Sequence, residues 1–144
     1  MGLAHVDVLI VDDDAAIRRM LRTALARLGL ACTEARDGIE ALACLQTVNP
    51  AVILLDLMMP RLDGYAVAEQ FTASRIQEQR PVIFALSASG DDDLRRTTAD
   101  SVHAIVRKPF DINELAEIVA LCVATRWAFG RATTKSGRPT PKVL

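Results

Sequence analysis

The sequence predicts an α/β protein, a doubly wound five-stranded parallel sheet with helices on its faces. Two observations carry this. Four short apolar runs, VLIV (8–11), AVILL (51–55), PVIFAL (81–86) and HAIV (103–106), show no polar alternation. That pattern belongs to strands buried on both faces of a parallel sheet. Stretches with helical spacing separate the runs, and alternating strands and helices build parallel sheets because each parallel pair needs a crossover.

In chain order, the first run is followed by Ile17, Met20, Leu21, Leu25 and Leu28 at helical spacing, with Gly29 to stop the helix. ACTEA (31–35) reads as a weak second strand, and residues 37–48 as a helix capped by Asp37, with Pro50 against its continuation. After the AVILL strand, Pro60 and Gly64 mark a loop over 57–64, and 65–77 is the third helix. Beyond the fourth strand, 90–101 is a loop and a polar helix with little apolar surface to pin it. The last helix spans 111–127, its acidic start suiting the positive end of the helix dipole. The order is (βα)5. Right-handed crossovers then give the flavodoxin-like strand order 2-1-3-4-5, with strands 1 and 3 adjacent at the switch point where such sheets bind ligands.

Composition narrows the function classes. At 144 residues and 51% hydrophobic, the chain suits one globular domain with a substantial core. No apolar stretch reaches the length of a membrane span, and MGLAHVD has neither the basic nor the apolar region of a signal peptide. Cys32, Cys44 and Cys122 have no metal-ligand spacing and read as small apolar fillers in a reducing cytosol. Residues 126–144 carry five basic residues and no acid, leaving 12 basic against 18 acidic residues elsewhere, a net −6. An acidic body argues against nucleic-acid binding by the body itself. The expected division is a domain over 1–125 and a basic segment over 126–144, either a disordered tail or a linker to an output domain.

Each apolar run ends in residues suited to phosphate chemistry: Asp12, Asp13 and Asp14, then Asp56, then Ser87, then Arg107 and Lys108. An Asp after a strand is often only a helix N-cap, a role that suits Asp14. Asp56 has no helix directly after it, so a carboxylate there needs another partner. Clustered carboxylates repel unless a cation neutralises them, and oxygen-only ligands favour Mg2+ over zinc. Lys108 supplies a second positive charge, and the following Pro109 makes that peptide bond a candidate for cis. A nucleophilic carboxylate, a metal, an ammonium and a hydroxyl around one anionic group are the equipment of phosphoryl transfer. No GxxxxGK[ST] or GxGxxG loop is present, so ATP bound by this chain is not the expected donor.

VLIVDDD, VILLDLMMPRLDG, ALSA and VRKPF, in this order and at these separations, resemble the receiver domain of bacterial response regulators across roughly residues 5–125. The resemblance implies a phosphoacceptor at Asp56, Mg2+ held by Asp12, Asp13, Asp56 and the Met58 carbonyl, and Ser87 and Lys108 on the phosphoryl oxygens. The donor it implies is a phosphohistidine on a histidine kinase or phosphotransfer protein, and the output is a surface around helix 4, strand 5 and the last helix. One position departs from the family. Receivers usually carry an aromatic residue three before the lysine, and here it is Ile105. An altered or weaker output switch is the consequence.

The last helix is apolar almost all round from Leu115 to Phe129. Either its alanines simply dilute the polarity, or Val119, Val123 and Trp127 face a partner, a second copy or an effector. Two other functions fit parts of this pattern. Haloacid-dehalogenase-like phosphatases share the chemistry, but their Asp-x-Asp-x-[Thr/Val] signature fails at Ala16. A degenerate receiver acting as a plain binding module is kept in view by Ile105.

Overall fold

The computed structural model describes residues 3–57, 59, 81–88, 102–128 and 142–143. The strands are β1 (Ala4–Val11), β2 (Cys32–Ala35), β3 (Val48–Asp56), β4 (Val82–Ser87), β5 (Ala104–Arg107) and β6 (Lys142–Val143). They lie in the order β2-β1-β3-β4-β5-β6, and every pairing is parallel. The first five strands thus take the predicted order 2-1-3-4-5. The described helices are α1 (Ala15–Arg27), α2 (Gly38–Cys44) and the last helix, α3 (Ile112–Ala128). The expected helices over 65–77 and 90–101, Met58, most of the loop over 57–64, and the tail past 128 apart from Lys142–Val143 lie outside the described residues.

Apolar runs without alternation make sense once both faces are seen. Val8, Ile10, Leu54 and Phe84 point to one side, where Leu21 and Leu25 of α1 and Val119 of α3 meet them. Leu9, Val11, Ile53 and Ile83 point to the other side, toward Ala41 of α2. Successive residues serve opposite layers, so no position in the run can be polar. Burying each such side chain stabilises the fold by about 1.5–3 kcal/mol relative to leaving it exposed.

Several boundaries differ from the sequence pattern. β3 begins at Val48, not Ala51, and α2 ends at Cys44. Pro50 is tolerated because it pairs only with Val6 of β1; β4 joins β3 two residues later, at Val52. On α1 the buried residues are Leu21, Ala24 and Leu25, while Met20 and Leu28 are exposed. The expectation that Val119 and Val123 of α3 face a partner is corrected. Both are buried in the core beside Leu115 and Ala116, and among the described residues the large exposed hydrophobic of that helix is Leu121, at 69%. An all-apolar helix carries no polar side to show its phase. The Trp127 side chain lies outside the described residues.

α3 continues to Ala128, past the expected division at 125/126. Lys142–Val143 departs from a structureless tail: it pairs with Ala104 and Ile105 along the edge of β5, which among the described residues has no other strand partner on that side. The three cysteines are free, and burial pushes all three thiols up, Cys32 to about 11. Thiols so placed stay protonated and inert, as expected of apolar fillers.

Candidate functional site

The parallel registers bring the chemistry to one edge. Val11 pairs with Leu55, Asp56 with Leu86, and Ser87 with Arg107, so the ends of β1, β3, β4 and β5 lie level. Asp12 follows β1, Asp56 and Ser87 close β3 and β4, and Lys108 follows β5.

The Asp12–Asp14 run divides into three roles. Asp14 caps α1, its Oδ1 accepting from the N–H groups of Ala16 at 2.9 Å and Ile17 at 3.4 Å. Asp12 is fully buried; its Oδ1 accepts the Asp14 N–H at 2.9 Å and its Oδ2 accepts from Lys108 Nζ at 3.2 Å. Asp13 is exposed, and one oxygen each from Asp12, Asp13 and Asp56 lie within 4.8 Å of one another.

Lys108 joins the strand ends. Its Nζ stands 3.6 Å from Asp56 Oδ2 as well as beside Asp12, and its backbone N–H donates to the Ser87 carbonyl at 2.7 Å. The Lys108–Pro109 peptide bond is cis. Ser87 and Asp56 are buried, while the Lys108 side chain keeps 20% exposure. Three carboxylates and one ammonium leave a formal charge of −2 in an all-oxygen donor set, which fits a hard divalent cation. The expected fourth contributor, the Met58 carbonyl, lies outside the described residues.

One feature of the site was not foreseen. Arg18 of α1 donates from Nη1 to the Asp12 carbonyl at 2.7 Å and from Nε to Glu34 of β2 at 3.3 Å. Arg22 reaches the second oxygen of Glu34 at 2.7 Å. These partners come together only when α1 lies over β2, so no local motif announces them.

A carboxylate cluster bridged by a strand-end lysine, at the switch point of a 2-1-3-4-5 sheet, is an arrangement suited to phosphoryl chemistry. The family model for the response regulator receiver domain matches residues 8–120. "Probable transcriptional regulator ycf27" of Guillardia theta is 41% identical over 133 residues, covering 90% of this chain and 51% of the relative. "DNA-binding transcriptional regulator NtrC" of Salmonella typhimurium is 34% identical over 120 residues, covering 81% of this chain and 24% of the relative. The chain therefore spans about half the length of the first relative and a quarter of the second. Among solved structures, the CheY-like receiver domain protein of Methanospirillum hungatei has a TM-score of 0.74 at 30% identity, covering 85% of this chain and 97% of that one. The Francisella response regulator 1452 receiver domain has a TM-score of 0.71 at 32% identity, covering 83% and 97%. This chain belongs to the response regulator receiver domain family, the signalling modules of two-component systems.

Proposed function

We propose that this domain accepts a phosphoryl group on Asp56 from a phosphohistidine of a histidine kinase or phosphotransfer protein, and that it works in the cytoplasm. The observation that carries the reading is Lys108 Nζ placed between Asp12 and Asp56, with Asp13 in the same cluster. An Asp56 oxygen attacks phosphorus, the P–N bond breaks, and the departing imidazole takes up a proton. Lys108 turns toward the incoming phosphoryl oxygens, and Ser87 offers its hydroxyl to another. Water later cleaves the P–O bond, releasing orthophosphate and restoring the carboxylate. Bound Mg2+ would neutralise charge on the phosphoryl oxygens, held by Asp12, Asp13, Asp56 and the Met58 carbonyl. Catalysis in this sense is limited to the domain's own phosphorylation and dephosphorylation. Incubation with acetyl phosphate and Mg2+ tests the reading: intact mass should rise by one phosphoryl group, and no gain under any donor would refute it.

Two further expectations concern the metal and the switch. Mg2+ at a hundredfold excess over its Kd should stabilise the fold by about 2.7 kcal/mol, seen as a rise in Tm. Asp13→Asn should remove most of that rise; an equal rise in the variant would place the metal elsewhere. Ile105 is already buried, among Leu55, Ile83 and Val102, so it has no exposed position from which to swing inward. Resting and phosphorylated structures should therefore show Ile105 in one rotamer, with output passing through Ser87 and the surface around residues 90–101, β5 and α3. A large inward rotation of Ile105 would contradict this.

The family match sets aside the phosphatase alternative, in keeping with the failed signature at Ala16. The degenerate-receiver alternative is opposed by the convergence of the acidic residues with Lys108.

A further inference from the structure

Asp13 is the exposed member of the carboxylate cluster, and among the described residues its side chain has no hydrogen-bonding or ionic partner. Its placement therefore depends on the backbone that leads into it. Asp12 is tied on both sides: its N–H donates to the Ala35 carbonyl at 3.2 Å, and its carbonyl accepts from Arg18 Nη1 at 2.7 Å. Arg18 is itself held, with Nε 3.3 Å from Glu34 Oε1 and its side chain only 17% exposed. Glu34 and Ala35 are consecutive in β2. One strand end thus fixes both peptide groups of Asp12, directly through Ala35 and through a guanidinium at Glu34.

The Asp12 carbonyl lies in the planar peptide unit that carries the Asp13 nitrogen, so fixing it sets the direction in which Asp13 leaves the strand. We propose that Arg18 is a positioning residue for the metal-binding carboxylates: braced by Glu34, it clamps the Asp12 carbonyl and so aims Asp13 at Mg2+. The planar fork of arginine suits this because two of its nitrogens serve two partners at once. The inference rests on the Mg2+ reading above. Charge and position make opposite predictions here. If Arg18 acted only as a nearby positive charge, removing it would tighten cation binding; if it positions Asp13, removing it weakens binding.

Titration calorimetry of the unphosphorylated full chain with MgCl2 separates the two, with amide hydrogen exchange as a second readout. R18A should raise the Mg2+ Kd about tenfold, the low end of the loss seen when partners supporting a metal ligand are removed. R18K should fall between R18A and wild type, because an ammonium reaches the carbonyl without also forking to Glu34; E34Q should shift Kd in the same direction by less. Exchange at the Asp13 and Asp14 amides should quicken in R18A while Ile10 and Ile53 in the sheet keep their protection, which general loosening would not produce. Should R18A fail to fold, R18K and E34Q carry the same two readouts. Wild-type binding with an unchanged or tighter Kd in these variants overturns the clamp alone. A wild type that binds no Mg2+ overturns the metal reading and the clamp with it.

Discussion

Asp56→Asn is expected to abolish phosphoryl acceptance while leaving the fold intact. The amide matches the carboxylate in size, so packing around Leu55 and Leu57 need not change, but it is no nucleophile toward phosphorus. Intact mass after acetyl phosphate and Mg2+ should show no gain. Stability should move the other way. The carboxylate of Asp56 faces two others within 4.8 Å and one ammonium at 3.6 Å. Removing its charge relieves more repulsion than it loses attraction, on the order of 1 kcal/mol in metal-free buffer. Urea unfolding in EDTA should show that gain, and Mg2+ should erase it by stabilising the wild type preferentially. Full phosphorylation of Asp56→Asn would place the acceptor on another residue.

Lys108→Met carries the second large effect. Methionine keeps the apolar stem but withdraws the charge facing Asp12, which has no exposure, and Asp56, at 3%. Leaving buried carboxylates without their cation should cost about 2 kcal/mol, below the usual loss for a broken buried pair because Lys108 keeps contact with solvent. Mg2+ should restore part of this by supplying charge from the other side. A double-mutant cycle with Asp12→Asn isolates the interaction: the Lys108→Met penalty should largely vanish when Asp12 is neutral. Acceptance onto Asp56 should also slow, since no ammonium remains to meet the phosphoryl oxygens. An unchanged stability would mean the lysine is fully solvated and not engaged with the cluster.

The strands were legible because two-sided burial leaves a plain mark. VLIV and AVILL have no room for a polar residue when alternate side chains feed α1 and α2. The convergence of Asp12, Asp56, Ser87 and Lys108 followed from strand order alone, since all four sit at carboxyl ends of neighbouring parallel strands. What failed to show had physical reasons too. Val48–Pro50 extends β3 beside β1, but a proline ahead of an apolar run reads as a boundary. The phase of α3 is hidden by its apolar surroundings, which left a partner-facing reading of Val119 and Val123 open until their burial was seen. Lys142–Val143 is too short to carry periodicity, and the Arg18–Glu34 contact spans α1 and β2 and exists only in three dimensions.

In the proposed reaction Asp56 becomes an acyl phosphate between a cation held by the acidic cluster and the ammonium of Lys108. A crystal structure of the chain with Mg2+ and beryllofluoride, whose adduct with a carboxylate is a stable mimic of an acyl phosphate, would show this arrangement. The expected result is beryllium bonded to an Asp56 oxygen, Mg2+ between Asp13 and Asp56, and Lys108 Nζ moved from Asp12 onto a fluorine. An adduct on another residue, a metal away from these carboxylates, or Lys108 still engaged only with Asp12 would contradict it.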